Sequence, residues 1–327
     1  MILIHRLLLQ LLRPPNNTII SSAWGNWQFC HFPQAESDLL NYLMPELPEV
    51  EVVRLFLESK LIGKKISKLE IFTPKSFVGD PKKVLNQKII CFTRLGKQLS
   101  IHLQNNLIIL FHLKMTGQII LGDLIFGHPT PKEDKTHLPN KSTRLVFTFS
   151  DKTQVFFNDQ RKFGWVKVLT PEELKDFQKN VGIDVLSQDF TNKYFYHQIQ
   201  SSSRAIKLVL LDQSKFAGIG NIYANDALFL SKINPKTSSK NISPAKSKIL
   251  RQNLINLMKE SISHGGSTAK DNKYIHPDGT VGQHQYHFRV YQRDGEPCLV
   301  CQTPIKRTKI GGRGTFFCPK CQNDFQQ

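Results

Sequence analysis

The chain is short of acidic residues, of cysteine and of any long apolar run, and each shortage excludes something. Its 26 Asp and Glu stand against 44 Lys and Arg, leaving a formal net charge of +18. That imbalance excludes a charge-neutral surface and marks a polyanion partner, nucleic acid first, with simple solubility as the bland alternative. Six cysteines in 327 residues are too few for a secreted disulfide scaffold. Residues 7–12, apolar apart from Gln10, form a run too short to span a bilayer. Internal repeats and low-complexity tracts are also missing. What is there fits a soluble globular protein of about two domains, 40% hydrophobic and 21% charged.

Four of the cysteines form two close pairs, Cys298-x2-Cys301 and Cys318-x2-Cys321, with 16 residues between the pairs. The spacing reads as a tetrahedral site for one structural Zn2+ ion, with disulfides as the alternative. Cys30 and Cys91 read as ordinary thiols, and the whole pattern suits a reducing cytosol. Around the pairs lie Arg289, Arg293, Lys306, Arg307, Lys309 and Arg313 against Asp294 and Glu296. A zinc-pinned hairpin carrying those cations would clamp a duplex, unless they are only a solvated face.

Residues 44–51, Met-Pro-Glu-Leu-Pro-Glu-Val-Glu, look like a protein start placed 43 residues into the chain. Residues 1–43 are expected to be a non-native or disordered extension arising from an upstream start codon. A weak signal-peptide reading has Ser21 and Ala23 before a cleavage point, and a packed extension would use Trp24 and Trp27. A free amino-terminal proline is a secondary amine. An α-amino group, with a pKa near 8 against about 10.4 for lysine, is far more often neutral at physiological pH. Such an amine can attack a sugar carbon and form an iminium while a neighbouring carboxyl moves protons. Inside a chain the same nitrogen is an unreactive amide, and the motif is then only a proline-punctuated helix start.

Val50, Val53, Leu57 and Leu61 at helical spacing, followed by Gly63, predict a helix over 48–61. Strands are expected over 88–93, 98–103, 107–113, 144–149, 154–157 and 165–169, a succession that suggests a sandwich or barrel. The polar stretch 127–141 reads as a mobile loop. Thr170-Pro-Glu-Glu173 is a capping box that opens a helical region, with helices over 203–212, 221–233 and 243–264. Residues 271–285, poor in apolar side chains, read as a flexible loop. Backbone N–H groups beside Asn221, after Gly218-Ile-Gly220, would suit a phosphate, or Asn221 simply caps a helical hairpin.

Five ordered motifs carry a family resemblance: 44–51, His-Leu-Lys-Met-Thr-Gly at 112–117, Asp-Gln-Arg-Lys-Phe-Gly at 159–164, Gly-Ile-Gly-Asn-Ile-Tyr-Ala at 218–224, and the four-cysteine module. Together, over Met44 to Gln322, they resemble the formamidopyrimidine-DNA glycosylases, bacterial base-excision repair enzymes. The resemblance implies an α+β chain. Residues 44–180 would form an N-terminal β-sandwich with an N-terminal helix, 181–285 a helix–two-turns–helix domain with a lesion loop, and 286–327 a C-terminal zinc-finger β-hairpin. It implies a bifunctional glycosylase and AP lyase that removes 8-oxoguanine and formamidopyrimidines from damaged double-stranded DNA by β,δ-elimination.

Carried onto this sequence, the family's roles make Pro45 the Schiff-base nucleophile, Glu46 its proton-transfer partner and Glu49 a supporting acid. Lys97 would assist catalysis and touch phosphate. Met115, Arg161 and Phe163 would fill the gap left by an extruded base. His112, Asn221, Tyr291, Arg307 and Arg313 would contact phosphates, Lys207 would lie near the damaged base, and Cys298, Cys301, Cys318 and Cys321 would hold zinc. Leu47, where endonuclease VIII-type relatives usually have Gly, and the Met115/Arg161/Phe163 set favour purine lesions over oxidised pyrimidines. Gln160 and Gln292 depart from the family pattern. A cytoplasmic, nucleoid-associated monomer without membrane contact is expected. Retention of residues 1–43 would instead make a catalytically silent lesion-DNA-binding protein. A generic zinc-ribbon module would leave the four upstream motifs unexplained.

Overall fold

The computed structural model describes residues 44–122, 138–268 and 274–323. The expectations for 1–43, for 127–137 of the polar stretch and for 271–273 lie outside those residues. Helix α1 (Leu47–Leu61) begins where the sequence predicts, with Pro48 in its first turn, where a missing N–H costs no hydrogen bond. Val50, Val53, Leu57 and Leu61 make its buried face. Among the described residues nine strands follow: β1 (Ile66–Ile71), β2 (Phe77–Val78), β3 (Ile89–Leu95), β4 (Gln98–Leu103), β5 (Ile108–His112), β6 (Gly117–Leu121), β7 (Thr143–Phe149), β8 (Gln154–Asp159) and β9 (Trp165–Leu169).

They build two sheets, of order β2-β9-β5-β4-β3 and β1-β7-β8-β6, antiparallel except for β2 beside β9. Phe111, Phe147, Phe157, Ile101 and Ile119 fill the space between the sheets, and α1 packs against the same core. Burial of apolar surface at about 25 cal/mol per Å2 is what holds such layers together. β1, β2 and β6 lie outside the expected strands. β1 has one fully buried residue in six, so its alternation is faint, and β6, which starts on the last residue of the 112–117 motif, has four consecutive buried residues and no alternation.

The capping box forms as read: Thr170 Oγ1 accepts from Glu173 N at 3.2 Å, and α2 (Pro171–Gln178) starts there. Beyond it come β10 (Ile183–Asp184), α3 (Asn192–Gln200), α4 (Ile206–Leu210), β11 (Phe216–Ala217), α5 (Asn221–Leu230) and α6 (Pro244–Ser263). α4 is shorter than the predicted 203–212, and α3, with only Phe195 and Ile199 buried, was missed. The hairpin β12 (Lys306–Ile310) and β13 (Arg313–Phe317) closes the described chain. It shares a core with the helices, where Phe316, Tyr291 and Val290 meet Tyr223 and Leu228. Asp226, buried on α5, accepts the backbone N–H groups of Arg289, Val290 and Tyr291 at 2.9–3.0 Å, tying the approach to the zinc module onto that helix.

Residues 274–285 correct the expectation of a flexible loop. Tyr274 packs in the sandwich core and donates to Glu49 O at 2.9 Å; Ile275 packs with Ile120, Val146 and Phe156; His284 is fully buried. Few apolar residues occur there, but those few are anchors. Among the described residues, no helix is long and apolar enough to cross a membrane.

Candidate active site

Pro45, Glu46 and Leu47 are buried, and Glu46 and Leu47 pack on the Gly218–Ile222 turn, with Leu47 N donating to Gly218 O at 3.3 Å. Gln213 shapes that turn, its Oε1 accepting from Gly218 N at 3.0 Å and its Nε2 donating to Ile219 O at 2.8 Å. Glu46 thereby sits at the N-terminus of α5, where Ile222 N donates to Oε1 at 3.0 Å and the helix dipole favours negative charge. Its second oxygen, Oε2, is buried with no hydrogen-bond partner among the described residues. Burial dominates: the Glu46 carboxyl is pushed up to about 7, with Lys97 opposing and Glu49 reinforcing the rise. A carboxyl poised there can hold or release a proton at neutral pH.

The phosphate reading of the α5 N-terminus is therefore corrected at its backbone. Gly220 is the cap, Asn221 is the first helical residue, and the Ile222 N–H already serves Glu46. The Asn221 side chain donates instead to Gly314 O at 3.1 Å, linking α5 to the zinc hairpin.

Glu49 is a structural hub that the sequence marked only as supporting. Its Oε2 accepts Glu46 N at 2.9 Å, and its Oε1 accepts Tyr223 Oη at 2.8 Å plus Ser267 N and Oγ at 2.9 Å. Two distant parts of the chain, at Tyr223 and Ser267, thus fix through Glu49 the backbone that carries Pro45 and Glu46.

Lys97 occupies the two-residue turn between β3 and β4, after Gly96 at φ +57°. Lys97 is half-buried as a residue, and burial pushes its ammonium down, with the Glu46 charge opposing and Arg313 adding to the fall. Sequence reading missed what holds this turn. Asp184 Oδ2 accepts Gly96 N at 2.7 Å and pairs with Arg94, whose Nε reaches Glu51 on α1 at 2.7 Å. One arginine thus ties α1, the Lys97 turn and the start of the helical region together.

Lys207 is fully buried, with Nζ donating to Gly314 O at 2.6 Å and Thr315 Oγ1 at 2.7 Å, so it braces β13. Burial and the Arg313 charge push it down to about 7. Tyr291 is buried beside Asn221 and its hydroxyl is pushed up by burial, so it stays protonated. Arg307 and Arg313 are exposed on the hairpin, Arg307 lying 5.7 Å over the Phe316 ring.

A second group gathers on the sandwich edge. Buried Asp159 pairs with Thr116 Oγ1 and accepts Arg161 N at 3.2 Å and Gly164 N at 2.6 Å. It pins the turn bearing Met115 against the loop bearing Arg161 and Phe163. Met115 is partly buried, Arg161 is exposed, and Phe163 is 52% exposed with the Arg161 guanidinium 4.9 Å above its ring. A large aromatic ring left in solvent by a rigid support is unusual for a core residue. Behind them, burial and the Lys114 and Lys97 charges hold His112 down to about 3, so it is neutral. Its Nδ1 accepts Lys114 N at 3.1 Å, which leaves Nε2–H as a donor.

Cys298, Cys301, Cys318 and Cys321 bring four sulfurs within 4.8 Å of one another, with Cys298–Cys321 at 3.9 Å and Cys301–Cys318 at 3.4 Å. Zinc with bonds of about 2.3 Å spaces tetrahedral sulfurs about 3.8 Å apart, so the set fits one Zn2+ ion. Val300 N and Cys321 N point at Cys298 and Cys318 sulfurs at 3.4 Å, the outer support that thiolates need. Such an ion would hold the hairpin in shape.

Comparison with known proteins agrees with this architecture. The formamidopyrimidine-DNA glycosylase N-terminal domain matches residues 44–166, the H2TH domain of the same enzymes residues 181–273, and the zinc finger found in FPG and IleRS residues 295–323. The formamidopyrimidine-DNA glycosylase of Listeria innocua serovar 6a is 38% identical over 287 residues, covering 85% of this chain and 100% of the relative. The MutM (Fpg) protein of Thermus thermophilus superposes with a TM-score of 0.76 at 32% identity, over 85% of this chain and 98% of that one. Lactococcus lactis Fpg in complex with abasic-site DNA gives 0.76 at 30% identity, over 86% and 100%. The chain belongs to the formamidopyrimidine-DNA glycosylase family.

Proposed function

We propose that this protein excises oxidised purines, 8-oxoguanine and formamidopyrimidines, from duplex DNA and then cleaves the abasic site through a Schiff base on Pro45. The observation that carries this reading is the Glu46 carboxyl, buried beside Pro45 with one unpartnered oxygen and a pKa raised to about 7. The Pro45 amine attacks the sugar C1′ and the base leaves with its bonding electrons and a proton. The resulting iminium acidifies the C2′ hydrogens, so β- and then δ-elimination expel the 3′ and 5′ phosphates. Glu46 passes the protons that ring opening and elimination require. Lys97, with its pKa lowered, lies close enough to interact with Glu46 and assists it.

Met115, Arg161 and Phe163 fill the space of the extruded nucleotide, while His112, Asn221, Arg307 and Arg313 receive phosphates and Tyr291 backs Asn221. Lys207 acts through the hairpin it braces. The division at 180/181 and 285/286 belongs to the same reading, as do a monomeric state and a cytoplasmic, nucleoid-associated location. The Pro45 nitrogen is nucleophilic only as a free amine, so the active form begins at Pro45.

Borohydride trapping tests this on protein expressed from Met44. A covalent adduct with lesion-containing duplex is expected, mapped to Pro45 by peptide mass and absent from Pro45→Ala. No adduct, or one on a lysine alone, would defeat the reading.

A further inference from the structure

Away from the four-cysteine module, Glu260, His264 and His287 bring one ligand atom each within 4.8 Å of one another. Glu260 and His264 lie one turn apart on the same face at the end of α6, and His287 closes the 3-10 turn His284–His287. Bonds of about 2.0–2.1 Å would need ligand separations near 3.3 Å, a contraction that side-chain torsions of half-buried or exposed residues accommodate. The His264 and His287 rings stack at 4.1 Å and 25°, so binding would turn one ring to bring both in-plane lone pairs onto one ion.

The surrounding groups resemble the outer support of a metal site. His264 Nδ1 meets His284 Nδ1 at 3.3 Å, so one ring donates to the other and the pair is mutually oriented. His284 is itself buried, so its position behind His264 is fixed by packing. Arg289 Nη2 holds both Glu260 oxygens, at 2.9 and 3.2 Å, fixing the carboxylate while sharing its charge.

We propose that Glu260, His264 and His287 form a second Zn2+ site, open to solvent and more weakly binding than the four thiolates. Two imidazoles and a carboxylate are a borderline-soft set that suits zinc and leaves a position for water. The Arg289 charge beside Glu260 makes the ion exchangeable. A bound ion would clamp the last turn of α6 to the His284–His287 turn. That clamp lies behind Glu49, since His284 stacks on Tyr223, which donates to Glu49, and Ser267 donates to it as well.

Equilibrium dialysis of the full chain, with the four-cysteine site loaded, against excess Zn2+ tests the site. Two zinc ions per chain are expected for the wild type and one for His264→Gln and for His287→Gln. His287 is exposed, so its variant should melt like the wild type in zinc-free buffer. Co2+ in the second site should give weak ligand-field bands without sulfur charge transfer, and these should vanish in His287→Gln. One zinc per chain in the wild type, or a second zinc retained by both variants, would overturn the proposal.

Discussion

Gly220→Ala is the sharpest single perturbation of the site. A Cβ at Gly220 would lie 2.0 Å from Glu46 Cδ and 2.2 and 2.3 Å from its two oxygens. The Gly220 backbone is extended, at φ −127° and ψ −166°, so alanine adds no conformational strain and the whole effect is steric. The carboxyl must leave the α5 N-terminus, since the backbone on either side is hydrogen-bonded. Overpacking costs about 1–3 kcal/mol, and losing a charge-assisted bond from Ile222 N adds about 1.5–3. A total of about 2.5–6 kcal/mol is a large part of a domain's stability of about 5–15 kcal/mol. Displacing a proton-transfer group should also slow turnover about 100-fold or more.

Thermal melting and single-turnover cleavage of 8-oxoguanine and abasic duplexes measure both effects. The decisive comparison is the Glu46→Ala background, where the methyl meets no carboxyl. There Gly220→Ala should cost about 2 kcal/mol less than in the wild type, as expected for residues in contact. A variant that melts and cleaves like the wild type, or that costs as much without the carboxyl, would refute the reasoning.

Three further outcomes are expected. The folded Glu46 carboxyl keeps its proton up to about 7 while the unfolded chain loses it near 4.5, so its contribution makes stability fall as pH rises between those values, by about 3 kcal/mol. Urea unfolding of wild type minus Glu46→Gln across pH 4 to 8 should show that descending slope, and a flat difference would contradict the buried assignment. Phe163→Ala should lower kcat/KM on lesion duplex about tenfold, by roughly 1.4 kcal/mol, yet leave Tm within about 2 °C because the ring is 52% exposed. A matching fall in Tm would show that Phe163 is a packing residue instead. Cys318→Ala should lose the zinc of the four-cysteine site, disorder β12–β13 and weaken duplex binding about tenfold or more, read by anisotropy. Unchanged affinity would remove the hairpin from the DNA interface.

Local spacing determined part of this protein outright. The period of Val50, Val53, Leu57 and Leu61 specifies α1, and the Thr170–Glu173 box specifies where α2 starts, because both depend on neighbours within one or two turns. The two Cys-x2-Cys pairs likewise name their ligand chemistry without a fold, and the ordered motifs name the family. Weak alternation hid β1, and two anchors in α3 were too few to register.

Tertiary structure alone decided the chemistry of the site. Glu46 meets Ile222 across 176 residues, Asp184 holds the Gly96 turn across 88, and Tyr274 reaches Glu49 across 225. No local pattern encodes such pairings. The raised Glu46 carboxyl and the lowered Lys97 and Lys207 ammoniums follow from removing water around each charge, a property of packing rather than of residue type. Sequence therefore named the candidate groups, and only the enclosure of those groups set the protons they carry.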